Sequence, residues 1–252
     1  MLVTVKTYPN PSNTYDETVC TAGVDLHTGR FVRLYPIRFR HMDYDKWFHK
    51  YDILEMNAAR HKTDRRQDTY TPDVDSIVNV GHIETGSKRR RDWAERNAIV
   101  LPLVTTVEQL MDTAKTKTCS LGIVQMRDVE FIAEPDDEDW TPEQLAALQR
   151  DQLFGRKLKP LEKVPWKFRF KFRCCEDCKG HDMQFLDWEA YQLYRNMRDT
   201  YGASEAIEKV RHKHTEDYCE ARKNLHMFVG THYRWQHEFM AIGLYFPPRA
   251  EQ

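Results

Sequence analysis

The sequence predicts an α+β protein with a small β-barrel at residues 1–104 and a domain of mixed strands and helices at residues 105–252. Two observations predict this fold class. Short strand-like runs separated by loops fill the first hundred positions, which is typical of a small barrel. Helix-capping signals and helical spacing appear after residue 105, between further strands. A chain of 252 residues is long enough for each domain to bury a core of its own.

The N-terminal domain is predicted to begin with a strand at Val3–Tyr8. A β-hairpin follows, because Thr18–Val24 and Arg30–Ile37 flank a turn that ends in glycine. Two more strands are predicted at Tyr51–Ala58 and Ser76–Ile83, with a polar loop between them. Several short strands joined in this way indicate a small barrel.

Two capping signals predict helices in the first part of the C-terminal domain. The residues Thr105–Glu108 have the spacing of a capping box, which predicts a short helix that ends near Lys115. A strand is expected at Leu121–Ile132. A second helix is predicted at Thr141–Phe154, because proline stands in its first turn and glycine follows its end.

The last third of the chain is predicted to hold one strand, two helices and two final strands. The first strand is the basic segment discussed below. Helices are expected across much of residues 188–222, with an interruption at Gly202 and a cap at Ser204 for the second helix. The segments Leu225–Tyr233 and Glu238–Phe246 alternate as strands, and two prolines end the second.

The charge balance excludes a strongly basic protein. The chain has 38 Lys and Arg against 39 Asp and Glu, for a formal net charge of −1. Attraction to nucleic acid would therefore have to come from local clusters of cations. No apolar run approaches the ~20 residues that span a bilayer, and the first residues lack a signal-peptide pattern. We expect a cytoplasmic protein that does not bind membranes, in which clustered cysteines bind metal more often than they pair.

The most informative segment is a strand in which cations and phenylalanines alternate. A strand of period two places Phe168, Phe170 and Phe172 on one face and the cations on the other. Successive cations would recur every ~6.6 Å, a spacing that lets them follow a phosphate backbone. The cations of this strand are Lys167, Arg169, Lys171 and Arg173. A solvent-facing sheet edge protected by charge would produce the same pattern.

Other cations are expected to extend the nucleic-acid surface. Arg30 and Arg33 accompany Phe31 and Tyr35 in the hairpin, and cations together with aromatic rings can bind a single strand. A second basic cluster follows the predicted strand Ser76–Ile83 and consists of Lys88, Arg89, Arg90 and Arg91.

A compact group of cysteines and a histidine follows the basic strand. The pattern Cys175-x-x-Cys178-x-x-His181 supplies three ligands that suit zinc, and Cys174 offers an alternative first thiolate. A closed structural site needs a fourth ligand. The candidates for it are Cys219, His212 and His214. Alternatively, the cysteines are small buried apolar residues in a turn.

Two carboxylates next in the chain give a catalytic alternative. Asp187 and Glu189, with His181, would hold Mg²⁺ or Mn²⁺ and position water for phosphodiester cleavage. The same carboxylates also occur where a helix begins, since an N-cap and a first turn favour negative charge.

Two stretches of the chain resemble known bacterial proteins. In the hairpin, Cys20–Gly23 reads Cys-Thr-Ala-Gly and Gly29–Leu34 reads Gly-Arg-Phe-Val-Arg-Leu. Together they resemble the opening hairpin of bacterial proteins described as dual-OB-containing, which implies an OB-like barrel, a fold often used for single-stranded nucleic acid. The Cys/His turn followed by Asp187-Trp188-Glu189 resembles uncharacterised bacterial proteins of genomic islands and defence neighbourhoods.

The sequence thus predicts a zinc-stabilised nucleic-acid-binding protein of a bacterial genomic-island or defence type. Two alternatives stay open at this point. One is a metal-dependent nuclease that uses Asp187 and Glu189. The other is a structural or regulatory subunit whose basic strand binds an acidic protein partner.

Overall fold

The computed structural model describes residues 1–12, 14–87, 90–116, 119–149 and 158–249, without the side chains at positions 87, 90 and 91. The α+β class is confirmed, because helices accompany two mixed β-sheets, one of which forms a half-barrel. The helices in the described ranges include none that is long and apolar enough to cross a membrane.

The N-terminal sheet takes its strands from residues 2–82. Within the described ranges its eight strands are β1 (Leu2–Lys6), β2 (Asn10–Ser12), β3 (Asp16–Asp25), β4 (Arg30–Ile37), β5 (Asp52–Glu55), β6 (Ala58–Arg60), β7 (Thr69–Pro72) and β8 (Val78–His82). Their order is β6-β7-β4-β3-β1-β5-β8, with β2 paired to β3. The hairpin is confirmed, with Asp25 opposite Arg30 and Gly29 at a φ of 66° in the turn. The predicted strand at Tyr51–Ala58 is instead two strands, since Tyr51 has a φ of 70° and β6 pairs elsewhere.

The remaining strands form a short ribbon and the C-terminal sheet. The ribbon consists of β9 (Gly86–Ser87) and β10 (Arg90–Arg91). The described strands of the C-terminal sheet are β11 (Val104–Thr105), β12 (Leu121–Gln125), β13 (Arg127–Pro135), β14 (Trp166–Arg173), β15 (His181–Phe185), β16 (His226–Thr231) and β17 (Phe239–Tyr245). The described α-helices are α1 (Ala94–Val100), α2 (Val107–Lys115), α3 (Pro142–Gln149), α4 (Trp188–Tyr201) and α5 (Ala203–His212). The sheet order is β11-β12-β16-β17-β15-β14-β13.

Several helix ends differ from the predicted ones by a residue or two. Thr106, not Thr105, caps α2, because its hydroxyl accepts the Gln109 amide at 3.3 Å. Gly202 separates α4 from α5 as predicted, with a φ of 85° that suits glycine. It also stands in the N-cap position of α5, so the prediction of Ser204 as the cap is wrong. The predicted end of α3 at Phe154 lies outside the described residues.

The two faces of the C-terminal sheet have different partners. One face carries the phenylalanines of β14, all buried, and packs against α4 and α5 through residues such as Tyr191 and Ile207. The opposite face packs against the N-terminal sheet where β12, β16 and β17 are apolar, and there Phe31 meets Phe228 with ring centroids 6.2 Å apart. On β14 and β15 this second face is polar, since Arg169 lies opposite Gln184. The two sheets therefore pack together along only part of their width.

A buried histidine makes the stability of this core depend on pH. His214 lies in the turn after α5, where its ring stacks on Phe131 at 4.5 Å and Nδ1 donates to the Val210 carbonyl at 2.7 Å. Burial lowers the pKa of His214 to about 4. An unfolded histidine takes up a proton near pH ~6.5, so the unfolded state binds the proton first and stability falls as the pH drops from that value toward 4.

We expect this histidine to account for about 2 kcal/mol of unfolding free energy lost between pH 7 and pH 5. Urea denaturation of the wild type and of His214→Phe at both pH values measures it, because the variant should lose about that much less than the wild type. His237→Phe, at an exposed position, is the matched control. An equal pH dependence in the wild type and His214→Phe would contradict the prediction.

Candidate functional site

Four side chains converge on one point at the turn between β14 and β15. Cys174 and Cys178 come from the turn, His181 is the first residue of β15, and Glu108 reaches over from the first turn of α2. Their ligand atoms all lie within 4.8 Å of one another. Both cysteines are buried, whereas Glu108 is exposed on its outer side.

The distances in this group suit a tetrahedral metal ion. His181 Nε2 lies 3.1 Å from Cys178 Sγ, 3.5 Å from Cys174 Sγ and 3.1 Å from Glu108 Oε1. Cys174 Sγ lies 3.2 Å from the second oxygen of Glu108. Zinc with bonds of ~2.3 Å to sulfur and ~2.0 Å to nitrogen or oxygen keeps its ligand atoms roughly 3.3–3.8 Å apart. The four residues can therefore hold a metal ion with small adjustments.

Hydrogen bonds and burial favour the protonated thiol of Cys174. Burial raises its pKa, and the neighbouring Glu108 carboxylate raises it further. A divalent cation at this point would reverse that preference, because a coordinated thiol loses its proton. The Gly180 amide donates a hydrogen bond to Cys178 Sγ at 3.3 Å. Gly180 has a φ of 103°, a backbone conformation that favours glycine.

The ligand set differs from the predicted one. The group contains Cys174, the alternative first thiolate, and not Cys175, which packs against the hydrophobic core beside it. Cys219, one of the candidates for the fourth ligand, lies outside this group, and its Sγ donates to the His214 carbonyl. Glu108 is the fourth member of the group. In the sequence, Glu108 stands three residues after Thr105. This spacing predicts a helix cap and does not indicate a metal ligand.

The basic strand carries its cations where the sequence predicts, but each has a carboxylate beside it. The carboxylates lie on the neighbouring strands β13 and β15 or directly after the end of β13. All four cations remain partly exposed. The pairs are Lys167 with Asp136 at 2.8 Å, Arg169 with Asp182 at 2.8 Å, Lys171 with Glu130 at 3.7 Å, and Arg173 with Asp128 at 2.5 Å. The polar face of β14 is thus a ladder of alternating charge.

Two of the other predicted cations lie in described parts of the chain. Arg30 is exposed in the hairpin turn. Arg33 is only 2% exposed and lies between the sheets, where it donates to Ser120 Oγ at 2.6 Å, pairs with Asp68 and borders the large cleft described below. Lys88 and Arg89 lie outside the described residues, as do the side chains of Arg90 and Arg91.

The two carboxylates after β15 converge on a lysine. Asp187 is buried at the N-cap of α4, and its Oδ1 accepts the Glu189 amide. Lys50 Nζ lies 2.7 Å from Asp187 Oδ2 and 2.8 Å from Glu189 Oε2. Burial alone would lower the pKa of Lys50, but the two carboxylates raise it well above its ordinary value. Among the described residues, these carboxylates belong to no group of potential metal ligands with His181.

A large cleft opens where the two sheets diverge. Its volume is about 840 Å³, and it borders the N-terminal sheet, the polar face of β15 and the loop between β16 and β17. Gln184 and Lys167 lie at its wall, so the cleft adjoins the charged ladder of β14. Aromatic rings line it on several sides. They are Tyr8, Tyr15, Tyr35, Trp140, Trp166, Tyr191 and Tyr233.

Two histidines in the cleft present hydrogen-bond donors. His61 Nδ1 accepts the amide of Asp64 at 3.1 Å, and His232 Nδ1 accepts the amide of Arg234 at 3.2 Å. Because Nδ1 accepts in both rings, a neutral ring carries its proton on Nε2. The cleft therefore combines aromatic faces with amide, hydroxyl and imidazole groups, which is the composition of a site for a flat polar ligand.

Comparison with known proteins identifies the two parts of the chain as family domains. A family model described as Domain of unknown function (DUF8758) matches residues 1–102, and a second, Domain of unknown function (DUF8757), matches residues 103–252. No curated protein and no solved structure matches the chain. Because the second match covers well over half of the sequence, the chain belongs to the family described as Domain of unknown function (DUF8757).

Proposed function

We propose that this protein binds single-stranded nucleic acid and holds one unstacked nucleotide in the cleft between the sheets. The observation that carries the proposal is the lining of the cleft. A volume of about 840 Å³ is large enough for a nucleotide, since small-molecule sites range over roughly 300–1,000 Å³. Aromatic rings bind bases by stacking, and the amide of Gln184 can pair with a base edge.

The charged ladder of β14 supplies a path for the adjoining phosphates. Lys167 lies at the cleft, and Arg169 and Lys171 continue along the same face of the strand. Their carboxylate partners do not prevent such contacts, because exposed ion pairs contribute only ~0–1 kcal/mol each and can exchange one anion for another. The bound carboxylates do reduce the local positive charge, so we expect a modest dependence of affinity on salt.

Zinc is the metal we propose for the group Glu108, Cys174, Cys178 and His181. Two thiolates, one imidazole and one carboxylate are ligands that zinc accepts in tetrahedral geometry. With no open position in this set, the role is structural. The ion would fix the β14–β15 turn against α2, next to the ladder that meets the phosphates.

The fold and biological setting complete the proposal. We propose that the N-terminal sheet is an open relative of the OB barrel, on the resemblance of the hairpin around Cys20–Gly23 and Gly29–Leu34. The resemblance of the Cys/His turn and Asp187-Trp188-Glu189 supports a bacterial genomic-island or defence setting in the cytoplasm. In that setting a reader of single strands would recognise foreign or damaged nucleic acid.

Replacing an aromatic residue of the cleft is expected to weaken binding about tenfold, because stacking contributes ~1–3 kcal/mol per base. Two variants test the aromatic lining at different positions. Tyr35→Ala removes a ring on β4, and Trp140→Ala removes a ring just before α3. Fluorescence anisotropy with labelled 20-nucleotide DNA and RNA, single-stranded and duplex, measures the affinity. Single strands should bind more tightly than duplexes of the same sequence.

The matched control is Tyr201→Ala, which removes an exposed ring at the end of α4, away from the cleft. It should bind as the wild type does, and circular dichroism establishes that all variants are folded. Failure of the wild type to bind any nucleic acid would refute the proposal and favour a protein partner. Equal affinities for the cleft variants and the wild type would refute the cleft as the site.

A further inference from the structure

We propose that the loop between β16 and β17, residues 232–238, is a second stacking platform, and that Trp235 stacks on the nucleotide next to the one in the cleft. This inference rests on the proposed function, because it names how the same site reads a second nucleotide. The occupant is therefore a segment of single strand at least two nucleotides long. The exposure of the loop, its position beside the cleft and its internal hydrogen bonds support this assignment.

The loop exposes two large rings. Tyr233 is 51% exposed and Trp235 is 55% exposed. Large exposed rings grouped on one loop, one of which lines the cleft, are the kind of surface that marks an interaction site. Among the described residues, the Trp235 ring makes no contact with another aromatic ring, which leaves its faces available.

The two rings differ in their relation to the cleft. Tyr233 lines it, together with His232, whereas Trp235 lies two residues farther along and outside it. The Arg66 guanidinium covers the Tyr233 ring, with its central carbon 5.7 Å from the ring centroid. Arg66 is itself fixed by Asp64 and donates to the Thr231 carbonyl at 2.8 Å. Tyr233 is thus held as a wall of the cleft, and a strand that leaves the cleft past Tyr233 would reach Trp235 two residues farther along the same loop.

Backbone hydrogen bonds hold the loop in one conformation. His232 Nδ1 accepts the amides of Arg234 and Trp235 at 3.2 and 3.3 Å. The Glu238 amide donates to the Trp235 carbonyl, and the His232 amide donates to the Glu238 carbonyl, both at 2.9 Å. Burial lowers the pKa of His232, so its ring is neutral and Nδ1 stays an acceptor. A loop ordered before binding loses little conformational entropy when a ligand stacks on it.

The charge of the loop suits a nucleic-acid strand. Arg234 is exposed between the two rings, so a cation accompanies the stacking surfaces. This alternation of ring and cation is the arrangement that binds bases and phosphates together. An acidic protein partner would use the cation but would not need two exposed flat rings on a loop that lines the cleft.

The length of the ligand tests this inference. The affinities of deoxythymidine oligomers of one, two and eight nucleotides are measured by competition against a labelled 20-nucleotide strand. For the wild type, we expect affinity to rise at least tenfold between one nucleotide and two. Trp235→Ala should remove most of this rise and leave the affinity for the mononucleotide within twofold of the wild type. Trp235→Phe should restore most of the rise, because it keeps a flat ring.

Two results would overturn the inference. An unchanged dinucleotide affinity in Trp235→Ala would show that the ring does not stack on a second nucleotide. An equal loss of affinity for the mononucleotide and the dinucleotide would assign Trp235 to the shape of the cleft itself. Tyr35→Ala distinguishes these from failure of the proposed function. It should weaken ligands of every length, and if it weakens none, the cleft is not the site.

Discussion

Replacing Cys178 with serine is expected to remove bound zinc from the protein and to lower its melting temperature by about 10 °C. The wild type should carry one zinc ion per chain. The cause is the burial of the ligands, since Cys174 and Cys178 are buried beside His181 at distances that suit one ion. Without the metal, the turn loses the link that joins it to α2.

Elemental analysis and scanning calorimetry measure the two effects. Cys175→Ser and Cys219→Ser are matched controls, because both thiols lie outside the ligand group. They should retain the full amount of zinc. Glu108→Gln should keep the fold and lower zinc affinity about tenfold or more in competition with a chelator. A wild type free of zinc, or a Glu108→Gln variant with unchanged affinity, would contradict the assignment.

The contrast between Glu108 and the cysteines shows which parts of a site are visible in a sequence. Cys174, Cys178 and His181 lie within eight positions, so their spacing alone indicates a metal site. Glu108 lies 66 residues before Cys174 and reaches the site only through the packing of α2 against the sheet. Local spacing carries no information on that contact. Glu108 was therefore not among the predicted candidates, which were Cys219, His212 and His214.

The basic strand shows the same limit for charge. Its alternation predicted a strand with a buried aromatic face, and both features are confirmed. The alternation could not show the carboxylates that pair with these cations, because they lie on β13 and β15 and directly after β13. A signal was nevertheless present, since Asp128 and Glu130 alternate with apolar residues in the neighbouring segment. Two strands of opposite charge and equal period are expected to pair.

The cleft was the least predictable feature. Its lining extends from Thr7 to Ile242 and comes from loops, from strands of both sheets and from the helices α3 and α4. Each aromatic residue taken alone was as compatible with a core as with a binding site. Arg33 illustrates the difficulty, because the same hairpin places it between the sheets and leaves Arg30 exposed. Only the packing of the two sheets decides which residues meet the ligand.

Replacing Asp187 with alanine is expected to cost about 3–5 kcal/mol of unfolding free energy, the largest loss of any single substitution considered, because it leaves a buried ammonium group without its main partner. The Lys50 side chain is only 7% exposed and connects the N-terminal domain to the start of α4. The same substitution removes the N-cap of α4, which adds about 1 kcal/mol. Urea denaturation at pH 7 measures the loss.

A double-mutant cycle separates the ion pair from the cap. Lys50→Met alone and Asp187→Asn alone should each destabilise the protein, because each leaves the other charge buried without its partner, whereas the double variant should cost less than the two single losses added together. Asparagine is chosen at position 187 because it can still cap α4. Glu189→Gln is the control within the same cluster, since its side chain is 60% exposed and should contribute less than about 1 kcal/mol. Additive losses for Lys50 and Asp187 would show that the contact does not stabilise the fold. Coupling between them would show that this buried pair joins the N-terminal domain to the start of α4.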